Sequence, residues 1–159
     1  MNLCPSDSVG LIAKKDSKYL MLERLKHPMG LACVAGHRDV VNGIKEDFTE
    51  AGFREWLEET GSTAKGLKFI LAATFPNPCS RLPGFDGHQW RVYDVTSWVG
   101  EPQLMEPTKH GFVKWMSSEE IQEWIQTGKP TDPAWFKFIF PALANQGNED
   151  AKRILGISA

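Results

Sequence analysis

The chain has 159 residues, of which 42% are hydrophobic and 24% are charged, as expected for a soluble globular protein that forms one domain with a sizeable core. Its net charge of −2 at pH 7 provides no global attraction for nucleic acid or for an anionic membrane. We therefore expect neither stable nucleic-acid binding nor membrane association, and an anionic substrate would have to be held by local cations.

The cysteines and the N-terminal segment indicate a reducing compartment. Cys4, Cys33 and Cys79 form neither a CxxC motif nor a disulfide framework. The N-terminal residues MNLCPSDS lack the basic and apolar regions of a signal peptide, and no apolar run approaches the roughly 18 residues of a membrane span. We therefore expect a cytoplasmic protein. None of the histidines is paired at helical spacing, so a zinc site is not expected.

The N-terminal part of the chain predicts three strands followed by a helix. The strands are predicted over residues 8–15, 18–25 and 31–36. The polar pair Asp16-Ser17 between the first two strands predicts a hairpin. A helix is predicted over residues 46–60. Gly61 suits its C-terminal end because glycine adopts the left-handed conformation without steric cost.

The remainder of the chain predicts three strands, two loops and two helices. The strands are predicted over residues 66–75, 88–98 and 112–115, and the loops over residues 77–87 and 100–110. The helices are predicted from Ser117 or Ser118 to about Gln126, and from Asp132-Pro133 onward. The first loop is either functional or a tolerated surface insertion. Residues after Asn145 are expected to be loosely held.

The predicted helix over residues 46–60 separates acidic from apolar side chains. Glu55, Glu58 and Glu59 share one face, because residues three and four apart are neighbours on a helix. The opposite face carries an apolar stripe that would face the core, formed by Phe53, Trp56, Leu57 and Thr60. Like charges at this spacing repel by about 0.2–0.5 kcal/mol per pair, and only Arg54 lies close in sequence to relieve them. The acidic face is therefore either a solvated surface or a site where carboxylates bind a divalent cation.

The spacing of these charged residues resembles a family motif. Glu46, seven further residues and then REWLEETG match the Nudix box, usually written G-x5-E-x7-R-E-U-x-E-E-x-G-U, where U is bulky and aliphatic. The position six residues before Glu46 holds Val40 instead of glycine, and the nearest equivalent is Gly36, four residues further out. We interpret this as a four-residue insertion within residues 39–43. The last position of the motif is Ser62.

A second stretch, WVGEPQLMEPTKHGFVKWMSSEEI, resembles the downstream part of the same family, in which E-P-x-K-H and a later tryptophan precede a helix. Nudix domains are α/β/α sandwiches around a mixed β-sheet. The resemblance therefore implies this α/β fold over a single domain of residues 1–159. The predicted order β-β-β-α-β-β-β-α-α suits a single mixed sheet between helices.

The resemblance also implies an activity. Similar proteins hydrolyse a nucleoside diphosphate linked to another group and use Mg²⁺ or Mn²⁺. The expected partner is a small-molecule nucleotide, and the EPTKH run favours small nucleoside triphosphates. The intact REWLEE cluster argues for an enzyme. A catalytically silent nucleotide sensor or regulator with the same fold remains an alternative, and a plain interaction domain is a weaker one. The sequence also leaves a homodimer open.

Carried over residue by residue, the resemblance gives metal-binding and catalytic candidates. The expected metal ligands are the glutamates of the motif, with the adjacent pair first: Glu58, Glu59, Glu55 and Glu46. Glu55 is also a candidate general base, and Arg54 would hold a glutamate in its ligating rotamer. Glu106 is a further acidic candidate from the downstream loop. The alternatives are an ordinary helix ion pair for Arg54, favourable placement at a helix N-terminus for Glu46, and a solvated loop carboxylate for Glu106.

The substrate-binding candidates lie outside the motif. They are Arg81, Trp90, Lys109 and His110. The three basic side chains lie in predicted loops, where they can meet phosphate. Trp90 lies on a predicted strand, where an aromatic residue more often belongs to the core.

Overall fold

The computed structural model describes residues 2–4, 7–77 and 84–157. Within these ranges the strands are β1 Ser8–Ile12, β2 Lys14–Lys15, β3 Lys18–Arg24, β4 Gly30–Ala32, β5 Val34–His37, β6 Val40–Val41, β7 Ile44–Lys45, β8 Thr63–Phe75, β9 His88–Val99 and β10 His110–Ser117. The helical elements are α1 Phe48–Thr60, α2 Ser118–Gln126, a π-helical segment Ala134–Ile139, α3 Phe140–Asn145 and α4 Glu149–Leu155. No described helix is long and apolar enough to cross a bilayer.

The predicted α/β fold with a mixed sheet is confirmed. The main sheet has the strand order β5-β1-β9-β8, in which β1 and β9 are parallel and the other neighbours are antiparallel. A second, antiparallel sheet contains β10, β3 and β2, and β4 also pairs with β3. The described strands therefore divide between two larger sheets, whereas we predicted one.

Two of the predicted strands are split, and this split produces the second sheet. Ala13 separates β1 from β2 and carries the chain from the main sheet to the second sheet. Cys33 does the reverse between β4 and β5. Both residues are buried, so the chain crosses between the sheets inside the core. The hairpin predicted at Asp16-Ser17 is confirmed, with φ angles of 51° and 62° in the turn between β2 and β3.

Helix α1 packs against the main sheet on a face that differs from the predicted one. Trp56 and Thr60 are fully buried, as predicted. Phe53 and Leu57 were assigned to the same stripe, but they are 38% and 50% exposed. The reason lies at Gly52, where an added methyl group would lie 3.0 Å from a side chain of β8. This close approach turns α1 so that its glycine side faces the sheet.

Helix α1 begins two residues later than predicted and ends as predicted. Asp47 is the N-cap residue in an extended conformation, so Glu46 lies just outside the helix. At the other end Gly61 has a φ of 71°, and its N–H donates to the carbonyl of Leu57 at 2.9 Å. Glycine is favoured at this position because its φ lies in the left-handed region.

The insertion before α1 forms a β-hairpin. Strands β6 and β7 pair with each other, and Asn42-Gly43 makes the turn with φ angles of 53° and 76°. This two-residue turn is typical of tight hairpins. The backbone N–H of Glu46 donates to the carbonyl of Asp39 at 2.8 Å, which closes the base of the hairpin. The apolar side chains of the hairpin point to solvent, with Ile44 exposed.

The C-terminal region is more ordered than predicted. Helix α2 begins with a capping box, in which Ser117 and Glu120 are bonded reciprocally. The helix expected from Asp132-Pro133 starts as a π-helical segment and continues as α3. The residues after Asn145, which we expected to be loosely held, include α4, whose Ala151 and Ile154 are buried. The hydroxyl of Tyr19 donates to Asp150 at 2.7 Å and ties α4 to β3.

Candidate active site

Arg54 forms hydrogen bonds with acidic residues on α1 and just before it. Its guanidinium donates to both carboxylate oxygens of Glu46, at 3.0 and 2.9 Å. The same group donates to Glu55 at 2.9 Å, to Glu58 at 3.2 Å and to the backbone carbonyl of His37 at 2.7 Å. The hydrogen bonds that Arg54 donates to Glu46 hold the pKa of Glu46 below its usual range and raise the pKa of Arg54. Arg54 therefore fixes three of the motif's four glutamates relative to one another.

Glu55 lies in a space that exists because residue 36 is glycine. A Cβ built on Gly36 would overlap the Glu55 carboxyl group. Only 13% of the Glu55 side chain is exposed. Burial, followed by the nearby charge of Glu59, raises the pKa of Glu55 to about 8, although Arg54 acts in the opposite direction. Gly36, selected from the sequence as the displaced glycine of the motif, therefore contacts the site directly.

Glu59 forms a second cluster with two residues from the segment before β10. Its carboxylate lies 3.2 Å from Nε2 of His110, and the two side chains are 8% and 5% exposed. Glu106 completes the cluster, since one ligand atom from each of the three residues lies within 4.8 Å of the others. Burial raises the pKa of Glu59, and the hydrogen bond with His110 partly opposes this rise. Glu59 and His110 are both buried, while 29% of the Glu106 side chain is exposed.

The other predicted site residues occupy different surroundings. Glu58 is 52% exposed and pairs with Arg54. Lys109 is exposed, and its Nζ lies 3.0 Å from Glu106. Trp90 is buried in the core, packs against Trp135 and donates from Nε1 to the side chain of Asn77 at 3.2 Å. Arg81 lies outside the described residues.

The donor set fits a hard divalent cation. Glu59 is buried and the Glu55 side chain is only 13% exposed, and the charge of Glu59 raises the pKa of Glu55. Glu106 adds a third carboxyl group beside Glu59, and its charge also raises the pKa of Glu59. Carboxylate oxygens are the ligands that Mg²⁺ and similar cations prefer. A bound cation would offset both the desolvation and the mutual repulsion of these groups.

Sequence reasoning missed two contacts of the site. It treated His110 as a loop residue available to phosphate, whereas the residue is buried against Glu59 at the start of β10. It also left out Asp39, whose carboxylate lies 3.4 Å from the guanidinium of Arg54. The adjacency of Lys109 and His110 to Glu106 in the EPTKH run was the available signal for the first contact. Asp39 is brought to Arg54 by the hairpin, which the motif alone does not predict.

The sequence and the fold both resemble known proteins. The NUDIX domain family model matches residues 5–146. No curated protein matches the chain. The solution structure of the Escherichia coli ORF135 protein has 22% sequence identity, covers 94% of each chain and gives a TM-score of 0.63. The MutT NUDIX hydrolase of Burkholderia pseudomallei has 20% identity, covers 75% of this chain and 84% of its own, and gives a TM-score of 0.60.

A further similar structure is the NUDIX domain of Shewanella oneidensis NrtR complexed with ADP ribose. It has 15% sequence identity, covers 92% of this chain and 88% of its own, and gives a TM-score of 0.62. At these identities the likeness to solved structures shows the fold alone. The family is shown by the NUDIX domain family model, whose match spans most of the chain and includes α1 with its glutamates. The chain therefore belongs to the Nudix hydrolase family, whose members act on nucleoside diphosphate derivatives and generally use divalent metals.

Proposed function

We propose that the chain is a Mg²⁺- or Mn²⁺-dependent hydrolase that cleaves the pyrophosphate bond of a nucleoside diphosphate linked to another group, with nucleoside triphosphates first among its substrates. The observation that supports this most strongly is the pair Glu55 and Glu59, which are both shielded from solvent and both have raised pKa values. Burying charged groups with too few partners is costly. Their placement is explained if they bind a cation together with the phosphates.

Four carboxylates are proposed to hold the cation: Glu55, Glu58, Glu59 and Glu106. Such a cation, when bound, neutralises phosphate charge and lowers the pKa of a coordinated water. Glu46 is proposed for a different task from ligation, because both of its oxygens already accept hydrogen bonds from Arg54. Its role is then to hold Arg54, and through Arg54 the positions of Glu55 and Glu58.

Glu55 is the proposed general base. Its pKa of about 8 means that it is mostly protonated at neutral pH in the cation-free protein, so it cannot accept a proton in that state. The positive charge of Arg54, with a hydrogen bond of 2.9 Å, favours its ionised form. A cation in the cluster would act in the same direction. Glu55 would therefore become competent to accept a proton only once a cation is bound, which couples cation binding to catalysis.

Lys109 is proposed to contact the substrate phosphates. It is 56% exposed, and its ammonium group lies 3.0 Å from Glu106, beside the carboxylate cluster. The burial of Trp90 argues that this residue belongs to the core instead of binding the base. Arg81 is kept as a candidate on sequence grounds alone.

The test is a substrate panel. Purified protein is incubated with nucleoside triphosphates, ADP-ribose, dinucleoside polyphosphates and nucleotide sugars, in Mg²⁺ or Mn²⁺, and in ¹⁸O-labelled water. We expect release of a nucleoside monophosphate or pyrophosphate product with one labelled oxygen, which identifies the phosphorus that is attacked. Chelation should abolish turnover, and Glu59→Gln should reduce it strongly. Nucleotide binding without turnover across the panel would instead favour the silent sensor, and turnover that survives exhaustive chelation would reject the mechanism.

A further inference from the structure

His110 lies where it cannot act as a surface group. It is the first residue of β10 and pairs in register with Arg24 of β3. Its side chain is 5% exposed, so a phosphate bound at the surface cannot reach most of the ring. Its Nε2 lies 3.2 Å from Oε2 of Glu59. This separation is at the upper limit of ordinary hydrogen-bond distances, so the ring nitrogen can form a hydrogen bond with this carboxylate oxygen.

The other ring nitrogen of His110 identifies the tautomer. Nδ1 is buried, and no hydrogen-bond partner for it exists within residues 2–4, 7–77 and 84–157. A buried N–H without an acceptor is costly. Nε2, in contrast, faces a carboxylate that can accept. The ring hydrogen therefore belongs on Nε2, from which it is donated to Glu59.

The backbone holds this donor in place. The N–H of His110 donates to the carbonyl of Glu106 at 2.9 Å, and the N–H of Lys109 donates to the same carbonyl at 2.9 Å. The turn from Glu106 to His110 is thus closed on itself before β10 begins. One short turn therefore presents both the Glu106 carboxylate and the His110 ring to Glu59.

We propose that His110 is a positioning residue, which holds Glu59 through an Nε2–H hydrogen bond so that the carboxylate meets the cation in one orientation. This inference rests on the proposed function, because it assigns Glu59 to cation binding. It differs from the sequence prediction, in which His110 binds the substrate. Groups that orient a metal ligand in this way typically change metal affinity by roughly 10- to 100-fold when they are removed.

The test measures Mn²⁺ affinity directly, from the free-ion signal in electron paramagnetic resonance, for the wild type, His110→Leu and His110→Gln. Leucine removes the donor at similar volume, whereas glutamine carries an N–H at a similar reach. We expect roughly 10- to 100-fold weaker Mn²⁺ binding for His110→Leu and recovery of most of this loss in His110→Gln. His88→Leu is the matched control, because His88 is also buried but lies at the start of β9 and bonds to Asn77. It should leave Mn²⁺ affinity unchanged.

A second comparison separates action through Glu59 from a general structural effect. In a Glu59→Gln background, His110→Leu should have little further effect on Mn²⁺ affinity, because the group that it positions is no longer a carboxylate. A merely structural role would instead lower affinity by the same factor in both backgrounds. Thermal unfolding of each variant identifies loss of folding.

The outcomes are distinguishable. Wild-type protein that fails to bind Mn²⁺ would overturn the proposed function together with this inference. Normal binding by the wild type and by His110→Leu would overturn the positioning role alone. A ¹⁴N coupling from His110 in the pulsed spectrum of bound Mn²⁺ would also overturn it, because the ring would then be a direct ligand. If His110→Leu does not fold, ¹⁵N NMR spectra of the wild-type protein can show which nitrogen of the His110 ring carries the hydrogen. A hydrogen on Nδ1 would refute the proposal.

Discussion

Substitution of Gly36 by alanine tests the geometry of the site with a single methyl group. The backbone at Gly36 has no positive φ, so alanine is compatible with its conformation. The added Cβ, however, would overlap the carboxyl group of Glu55. That group must move by roughly 1 Å or more before the contact reaches the usual carbon–carbon separation of about 3.5 Å. Such a movement breaks the 2.9 Å hydrogen bond from Arg54 to Glu55.

Two effects of known size should follow. Overpacking of this kind costs about 1–3 kcal/mol in the free energy of unfolding. Displacement of a reacting group by about 1 Å can cost roughly 10²-fold in rate. We therefore expect Gly36→Ala to lower kcat by roughly this factor while the fold is retained, with a clearly lower urea midpoint.

The origin of the stability loss can be isolated by a double-mutant cycle with Glu55→Ala, which removes the carboxyl group that clashes. In that background Gly36→Ala should cost little, so the coupling free energy from urea unfolding should be about 1–3 kcal/mol. Gly43→Ala provides a comparison, since nothing lies within 4 Å of its added Cβ and its cost comes from a φ of 76° alone. An equal cost of Gly36→Ala with and without the Glu55 side chain would refute the reasoning.

Four further predictions follow from the same geometry. Glu59→Gln should lower kcat by roughly 10²-fold or more, and Glu58→Gln by less, because Glu58 is 52% exposed; equal losses in steady-state assays would contradict this ranking. Trp56→Ala should lower the free energy of unfolding by about 3–5 kcal/mol in urea titrations, since the ring is fully buried, and a stability near that of the wild type would place it outside the core. In the presence of chelator, the stability that Glu55 contributes should be present below its ordinary pKa of 4.5 and lost as pH rises through about 8, because its pKa is raised in the folded protein. The free energy of unfolding of the wild type minus that of Glu55→Gln should therefore fall between these pH values. A rise in this difference would contradict a raised pKa for Glu55. Deletion of residues 40–43 should leave Mn²⁺ binding detectable by calorimetry but change the order of preferred substrates. An unchanged order would mean that the hairpin does not contact the substrate.

The charged residues of α1 were accessible from sequence because their relationship is local. Arg54 and Glu58 are four residues apart on one helix, so their pairing follows from helical geometry once the helix is predicted. The rotation of the helix about its axis was not accessible in this way. It depends on how closely Gly52 approaches β8, which is a tertiary contact, and Phe53 and Leu57 were therefore assigned to the wrong side.

The contact between Glu59 and His110 is another tertiary feature. The two residues are far apart in the chain, and the pairing of β10 with β3 fixes where His110 lies, which no local pattern encodes. The hairpin is a different case. Asn42-Gly43 between apolar residues is a recognised local turn signal, but we interpreted the segment only as an insertion in the loop before the helix. The turn of this hairpin is therefore encoded locally in the sequence.

The closed base of the β6–β7 hairpin prevents changes at its tip from moving the rest of the protein. Because the N–H of Glu46 is bonded to the carbonyl of Asp39 at 2.8 Å, the two ends of the inserted segment are held together whatever lies between them. Lengthening the turn at Asn42-Gly43 would then cost only the slowly growing entropy of closing a longer loop. This position can therefore accept a foreign peptide, such as a short epitope or a dye-binding tag. A reporter placed there would be attached next to the candidate active site without altering the distance between Glu46 and Arg54.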